Sequence, residues 1–122
     1  MSVKIIELAK IQSIDAGGGS WLKELLTGNT VGSKKAMLGY STFTPGTNTE
    51  QKIHTEEEHV FILKGKGFLT VRDQKIGFQK DSALFIPPGV PHGILNEGPE
   101  DVVMVYVFSY PQYPPTQSFK DK

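Results

Sequence analysis

Side chains that could bind a metal ion are concentrated in two stretches of this 122-residue chain. The first stretch, residues 46–65, contains His54, His59 and four glutamates beside an apolar segment that ends at a glycine. Successive side chains of an extended strand point to opposite faces, so Lys52, His54 and Glu56 are predicted to share one face. Imidazole and carboxylate groups that converge on one point are typical ligands of a divalent metal ion. The first stretch therefore indicates a candidate metal site.

The second stretch, residues 81–96, places another histidine after a rigid turn. An apolar strand is predicted at Ala83–Ile86, and the Pro-Pro-Gly sequence of residues 87–89 predicts a turn directly after it. Pro91 restricts the backbone just before His92. The position of His92 is therefore set by the turn, as expected of a side chain that takes part in a site.

Together the two stretches resemble the cupin superfamily. The first motif of that family reads G-x5-H-x-H-x3-4-E-x6-G, and the second reads G-x5-P-x-G-x2-H-x3-N. Lys52 stands where the first motif has its first histidine, and Asp81 stands where the second motif has its leading glycine. The positions that match are Gly46, His54, Glu58, Gly65, Pro87, Gly89, His92 and Asn96.

The resemblance implies an all-β fold, the cupin-type double-stranded β-helix or jelly-roll barrel. The composition favours the same class, because 13 glycines and 8 prolines lie between short apolar runs. A short N-terminal helical turn is predicted at residues 20–28, where Ser20 can cap the first turn and Gly28 can end the last one. The chain is predicted to be a single domain, 1–122, with an N-terminal arm 1–30, a core 31–109 and a Pro-rich C-terminal tail 110–122.

The predicted strands follow short apolar or alternating runs that are separated by turn residues. The longest β-prone run, Val102–Phe108, is expected to be a central strand. Three prolines follow Ser109, so regular structure is predicted to stop there, with a disordered or draped tail from Thr116. The other predicted strands are residues 3–6, 35–44, 49–55, 60–63, 68–71, 76–79, 83–86 and 93–95.

The metal ligands implied by the resemblance are His54, Glu58 and His92, with positions left open for water or substrate. Two alternatives remain open at this point. A spacing of four residues after the second motif histidine would select His59 instead of Glu58, since only one of these neighbours can point inward. Glu56 is a further candidate if the turn after His54 begins late. Mixed nitrogen and oxygen ligation suits Fe, Mn, Ni, Zn or Cu.

Lys52 cannot ligate a cation, because its ammonium group has no lone pair. If it points inward, it can bind an anionic substrate or act as a base, and Glu56 can move a proton. The resemblance implies a metal-dependent enzyme acting on a small organic molecule, such as a dioxygenase, isomerase or lyase. Whether the protein is an enzyme stays open, because the lost motif histidine supports the alternative of a non-catalytic module that binds a sugar or organic acid.

Charge and composition exclude some partners. The formal net charge is +0, so a nucleic-acid partner is not predicted. There is no cysteine, no apolar run near the roughly 20 residues of a membrane span, and no signal-peptide pattern. We expect a cytoplasmic protein. The resemblance also implies a homodimer in which residues 3–6 can join the sheet of a partner subunit.

Overall fold

The regular structure of the protein is almost entirely β-strand. The computed structural model describes residues 2–120. Its helical structure comprises a 3-10 turn at Leu8–Lys10 and a short helix, α1, at Gly28–Val31. The strands are β1 (Ile14–Gly17), β2 (Ser20–Leu26), β3 (Met37–Phe43), β4 (Lys52–His54), β5 (Glu58–Lys64), β6 (Lys66–Val71), β7 (Gln74–Gln79), β8 (Ala83–Ile86), β9 (Gly93–Leu95), β10 (Val102–Phe108) and β11 (Thr116–Ser118).

These strands form two layers around a shared core. One layer is a six-stranded sheet with the order β1-β2-β3-β10-β5-β8, in which all neighbours are antiparallel. The other contains the three-stranded sheet β7-β6-β9 and the pair β4-β11. Backbone hydrogen bonds between residues 47–52 and 92–96 join β4 to the edge of β9. This antiparallel arrangement confirms the predicted all-β jelly-roll barrel.

Strand β10 shows how the sequence builds the core. Its bounds match the predicted strand, and its side chains alternate between the two faces of the six-stranded sheet. Met104, Tyr106 and Phe108 point inward and are buried, whereas Val105 and Val107 are only partly buried. The core between the layers is completed by residues of both sheets, among them Met37, Val60, Ile62, Leu69, Phe78, Ile86 and Ile94.

The predicted helix over residues 20–28 is wrong, because Ser20–Leu26 forms strand β2. Three consecutive glycines with positive φ, residues 17–19, turn the chain from β1 into β2. Strand β2 then pairs with β1 on one edge and β3 on the other, so its backbone groups are satisfied by the sheet. The N-terminal helical turn of the predicted fold lies instead at Leu8–Lys10.

The two chain termini differ from the sequence prediction. Residues 3–6 form no strand within the described part of the chain. The C-terminal segment does form one, because Thr116–Ser118 pairs antiparallel with β4. This corrects the prediction that regular structure stops after Ser109. Met1, Asp121 and Lys122 of the predicted arm and tail lie outside the described residues.

The helical content also bears on membrane spanning. Within residues 2–120, no helix is long and apolar enough to cross a bilayer.

Candidate metal centre and cavity

Three side chains from separate elements meet at one end of the barrel core. His54 ends β4, Glu58 begins β5, and His92 follows the Pro-rich turn after β8. One potential ligand atom of each residue lies within 4.8 Å of the others. Glu58 Oε1 is 3.2 Å from Nε2 of His92 and 3.7 Å from Nε2 of His54. The structure therefore brings together the three residues that the motifs single out.

The turn after β8 holds His92 through backbone contacts. The backbone N–H and C=O of His92 pair with those of Lys52, at 3.1 and 2.9 Å. Its Nδ1 lies 2.9 Å from the carbonyl oxygen of Val90, which can only accept, so Nδ1 carries the hydrogen. Burial lowers the pKa of His92, but the hydrogen bond and charge of Glu58 and the carbonyl of Val90 raise it above its ordinary value overall.

His54 is held by the C-terminal strand. Its Nδ1 lies 2.7 Å from the hydroxyl oxygen of Thr116, and this hydroxyl also lies 2.8 Å from the carbonyl oxygen of Pro114. A carbonyl can only accept, so the single hydroxyl hydrogen of Thr116 is committed to Pro114. Nδ1 of His54 therefore donates, and its Nε2 presents a lone pair on the side of Glu58.

The electrostatic environment keeps His54 in this neutral form. Burial, followed by the charges of His92 and Lys52, lowers the pKa of His54 to about 4. A neutral imidazole whose second nitrogen is anchored is the form in which histidine binds metal ions. The donor set of two imidazole nitrogens and one carboxylate oxygen therefore fits a divalent transition metal.

The other predicted site residues lie around this cluster in different places. Lys52 precedes His54 by two residues in β4, and its side chain helps to line the cavity described below. Glu56 lies in the turn before β5, where its carboxylate accepts a hydrogen bond from the hydroxyl of Thr55. It is not among the described residues that line the cavity.

His59 lies on the outer face of β5. Its ring contacts Phe85 edge-on at 5.2 Å between centroids, and its Nε2 is 2.8 Å from the carboxylate of Glu57. Because neighbouring side chains of a strand point in opposite directions, Glu58 faces inward and His59 faces outward. The structure thus does not bring His59 to the cluster.

A cavity opens from the cluster into the barrel. Glu58, His92 and Lys52 line it together with two tyrosine side chains, and most of the remaining wall is apolar. Both layers contribute, with side chains that include Trp21, Leu22, Phe43, Val60, Leu69, Leu84, Ile86, Ile94, Met104, Tyr106 and Tyr113. An apolar cavity with a few convergent polar groups is the usual form of a small-molecule site.

Sequence reasoning missed three contributors to this site. The predicted helix includes Leu22, whereas in the structure Leu22 belongs to β2 and lines the cavity. Tyr113 lines the same cavity and contacts the ring of His54 edge-on, with 5.6 Å between centroids. Thr116 holds His54 from a tail predicted to be irregular. The prolines around Tyr113 and Thr116 do not predict a paired strand, although an edge strand tolerates a proline just before it.

Comparison with known families identifies the class of protein to which this barrel belongs. The family model of the cupin domain (Cupin_2) matches residues 39–108, which include both motifs and all three cluster residues. The chain belongs to the cupin family.

Individual relatives support this assignment. An uncharacterized protein of Methanocaldococcus jannaschii is 34% identical and aligns over 93% of this chain and 92% of its own. The polyketide synthase CurC of Streptomyces cyaneus is 27% identical over 89% of this chain and 71% of its own length.

The fold also resembles solved structures. The polyketide cyclase RemF of Streptomyces resistomycificus superposes with a TM-score of 0.85, covering 99% of this chain and 88% of that one, at 19% identity. At this identity the similarity establishes the shared barrel fold and nothing about activity.

Proposed function

We propose that the protein binds a divalent metal ion, one of Fe, Mn, Ni, Zn or Cu, through His54, Glu58 and His92, and uses it to transform a small organic molecule. The observation that carries this proposal is the convergence of three ligand atoms within 4.8 Å beside an apolar cavity that Glu58 and His92 help to line. Three protein ligands leave coordination positions for water or substrate, as in catalytic sites. The reaction classes we favour are those of a dioxygenase, an isomerase or a lyase.

The residues around the cluster have separate roles in this proposal. When bound, the ion would supply a Lewis acid that polarises an oxygen of the substrate. Lys52, on the cavity wall, would hold an anionic group of the substrate such as a carboxylate. The apolar wall would bind the remainder of the molecule and exclude water. Glu56, in the turn before β5, would reach the substrate only through a movement of that turn.

The substrate class follows from the cavity and from the relatives. Two of the similar proteins bear the names polyketide synthase and polyketide cyclase, and the mostly apolar wall suits a ring-containing compound of that kind. Lys52 favours a substrate with at least one negative charge. We therefore propose a small, partly apolar organic acid or enol as the substrate.

A second candidate function rests on Lys52. It occupies the motif position of a fourth ligand, and its ammonium charge opposes a nearby cation. A barrel that binds an anionic small molecule without catalysis would make the same use of the cavity. Metal content separates the two functions, because the binding module needs no ion.

The test is elemental analysis of protein purified without an affinity tag, for the natural sequence, His92→Ala and His59→Ala. The two variants remove the same side chain, one from the cluster and one from the outer face of β5. We expect near-stoichiometric metal in the natural protein and in His59→Ala, and little in His92→Ala. A natural protein that takes up none of the five metals would refute the metal proposal and favour the binding module.

We also propose that the protein forms a homodimer. The exposed apolar side chains Phe61 and Phe85 lie on the outer face of the six-stranded sheet, and Val3 and Ile5 are exposed near the N-terminus. Burial of such groups against a second copy would remove apolar surface from water. Light scattering should report a dimer that Phe85→Glu dissociates. Ile76→Glu, a matched exposed position on β7, should remain dimeric. The cytoplasmic location and the lack of a nucleic-acid partner stay predictions.

A further inference from the structure

Tyr106 carries a hydroxyl group that is buried inside the barrel. It lies near the middle of β10, and its side chain is only 3% exposed. Its hydroxyl has no hydrogen-bond partner among residues 2–120. A buried hydroxyl without a partner costs free energy that a phenylalanine at the same position would not. The group therefore needs an explanation outside the internal hydrogen bonding of the barrel.

The surroundings of Tyr106 are arranged to accommodate the end of its ring. Gly39, its partner across the sheet in β3, has no side chain, and a Cβ atom there would collide with the phenol. The ring packs edge-on against Phe108, with 5.7 Å between centroids, and lies 6.4 Å from the ring of Tyr113. Packing thus fixes the ring in one orientation, and Tyr106 is one of the residues that line the cavity together with Glu58 and His92.

The chemical character of the phenol is that of a hydrogen-bond donor. Burial first, and then Tyr113, Glu24 and Glu58, raise the pKa of Tyr106 well above its ordinary value. The group therefore keeps its hydrogen at neutral pH. The rest of the cavity wall near it is mostly apolar, so a donor at this point would select for a ligand with an acceptor.

We propose that the hydroxyl of Tyr106 donates a hydrogen bond to an oxygen atom of the molecule bound in the cavity. The ligand class that this selects is a flat, largely apolar ring compound that carries a carbonyl or enolate oxygen. This inference rests on the proposed function, since it assigns a partner to the substrate of the same site. It adds a specificity-determining residue that neither cupin motif contains.

The test compares α-tetralone, a bicyclic aromatic ketone, with tetralin, which has the same rings without the oxygen. Binding of each to the protein as purified is measured by NMR titration for the natural sequence, Tyr106→Phe and Tyr40→Phe. Tyr40→Phe makes the same deletion on the opposite face of the same sheet. We expect Tyr106→Phe to weaken tetralone binding about fivefold and to leave tetralin binding unchanged. Tyr40→Phe should change neither.

Each other outcome counts against the inference. It is overturned if the natural protein does not bind tetralone, if Tyr106→Phe binds it as tightly as before, or if the variant loses both probes equally. A drop of several degrees in the Tm of ligand-free Tyr106→Phe would assign the hydroxyl a structural partner and also overturn it. Metal content is measured on the same samples. A metal-free natural protein that still shows the ketone-specific effect would refute the metal proposal alone.

Discussion

The two histidines of the cluster have the same orientation relative to Glu58 but reach it by different means. Nδ1 of His92 donates to the carbonyl of Val90, two residues away in the same turn. Nδ1 of His54 donates to Thr116, 62 residues away on a different strand. One imidazole is thus positioned by local backbone geometry, and the other depends on the docking of the C-terminal segment. The comparison shows how one site can combine a local anchor with a long-range anchor.

The largest expected effect is on the pH dependence of stability, to which the two histidines contribute differently. The pKa of His54 is lowered from 6.5 to about 4, so between these values the unfolded chain binds more protons at this residue than the folded chain. The contribution of His54 is therefore fully present above about pH 6.5 and is lost as pH falls to about 4, by up to about 3 kcal/mol. Urea unfolding of metal-free protein across this range measures it.

The stability contribution of His92 should change with pH in the opposite direction. Its raised pKa contributes stability that is present below its unfolded pKa and is lost as pH rises through the folded value. The variant His54→Gln should remove the part of the acid loss of stability that His54 contributes, whereas His59→Gln, an exposed control, should retain it. An unchanged acid decline in His54→Gln would contradict the assignment.

The next effect acts on both histidines at once. Glu58→Gln replaces the carboxylate that faces both Nε2 atoms by a neutral amide, so we expect metal affinity to fall about a hundredfold. Titration with Zn²⁺ or Mn²⁺ measures the change. Glu57→Gln alters a neighbouring carboxylate that pairs with His59 on the outside, and it should bind metal like the natural protein.

A smaller effect isolates the long-range anchor. Thr116→Val removes the hydroxyl that accepts from His54, and we expect metal affinity to fall about tenfold. Nitrogen NMR of the imidazole should show that His54 no longer keeps its hydrogen on Nδ1, while His92 is unchanged. Thr116→Ser retains a hydroxyl and should restore both properties. If valine and serine behave alike, the hydroxyl does not position His54.

The smallest effect concerns the local anchor. Gly89 has a φ of 78° in the turn before His92, and a Cβ atom there would meet no atom of the described residues within 4 Å. Gly89→Ala should therefore cost about 1 kcal/mol of stability from the left-handed backbone alone. Gly46→Ala, with a φ of 89° and equally open surroundings, should cost the same. If Gly89→Ala binds metal more weakly and Gly46→Ala does not, the turn positions His92 in addition to the hydrogen bond from His92 to Val90.

Much of the barrel could be predicted from the sequence. Strands β8, β9 and β10 have the predicted bounds, because short β-prone runs between prolines, glycines and polar residues leave few alternatives. The three residues that converge were also the ones selected by motif spacing. Alternation along β5 then separates Glu58 from His59, a choice that the spacing left open.

The elements that the sequence did not predict depend on contacts between residues far apart in the chain. Residues 20–28 have a helical pattern of apolar side chains, yet pairing with β1 and β3 makes Ser20–Leu26 a strand. Thr116–Ser118 is a strand only because β4 offers a free edge.

The sequence by itself therefore determined the family, the β-rich core and the identity of the three converging residues, since these follow from local patterns and spacing. Only the tertiary structure decided which nitrogen of His54 faces Glu58, because the hydroxyl of Thr116 arrives from a distant strand. It also decided that Tyr106 lines the cavity and that its hydroxyl has no hydrogen-bond partner within residues 2–120. Hydrogen bonds across long loops depend on the full set of strand pairings, which no local pattern encodes.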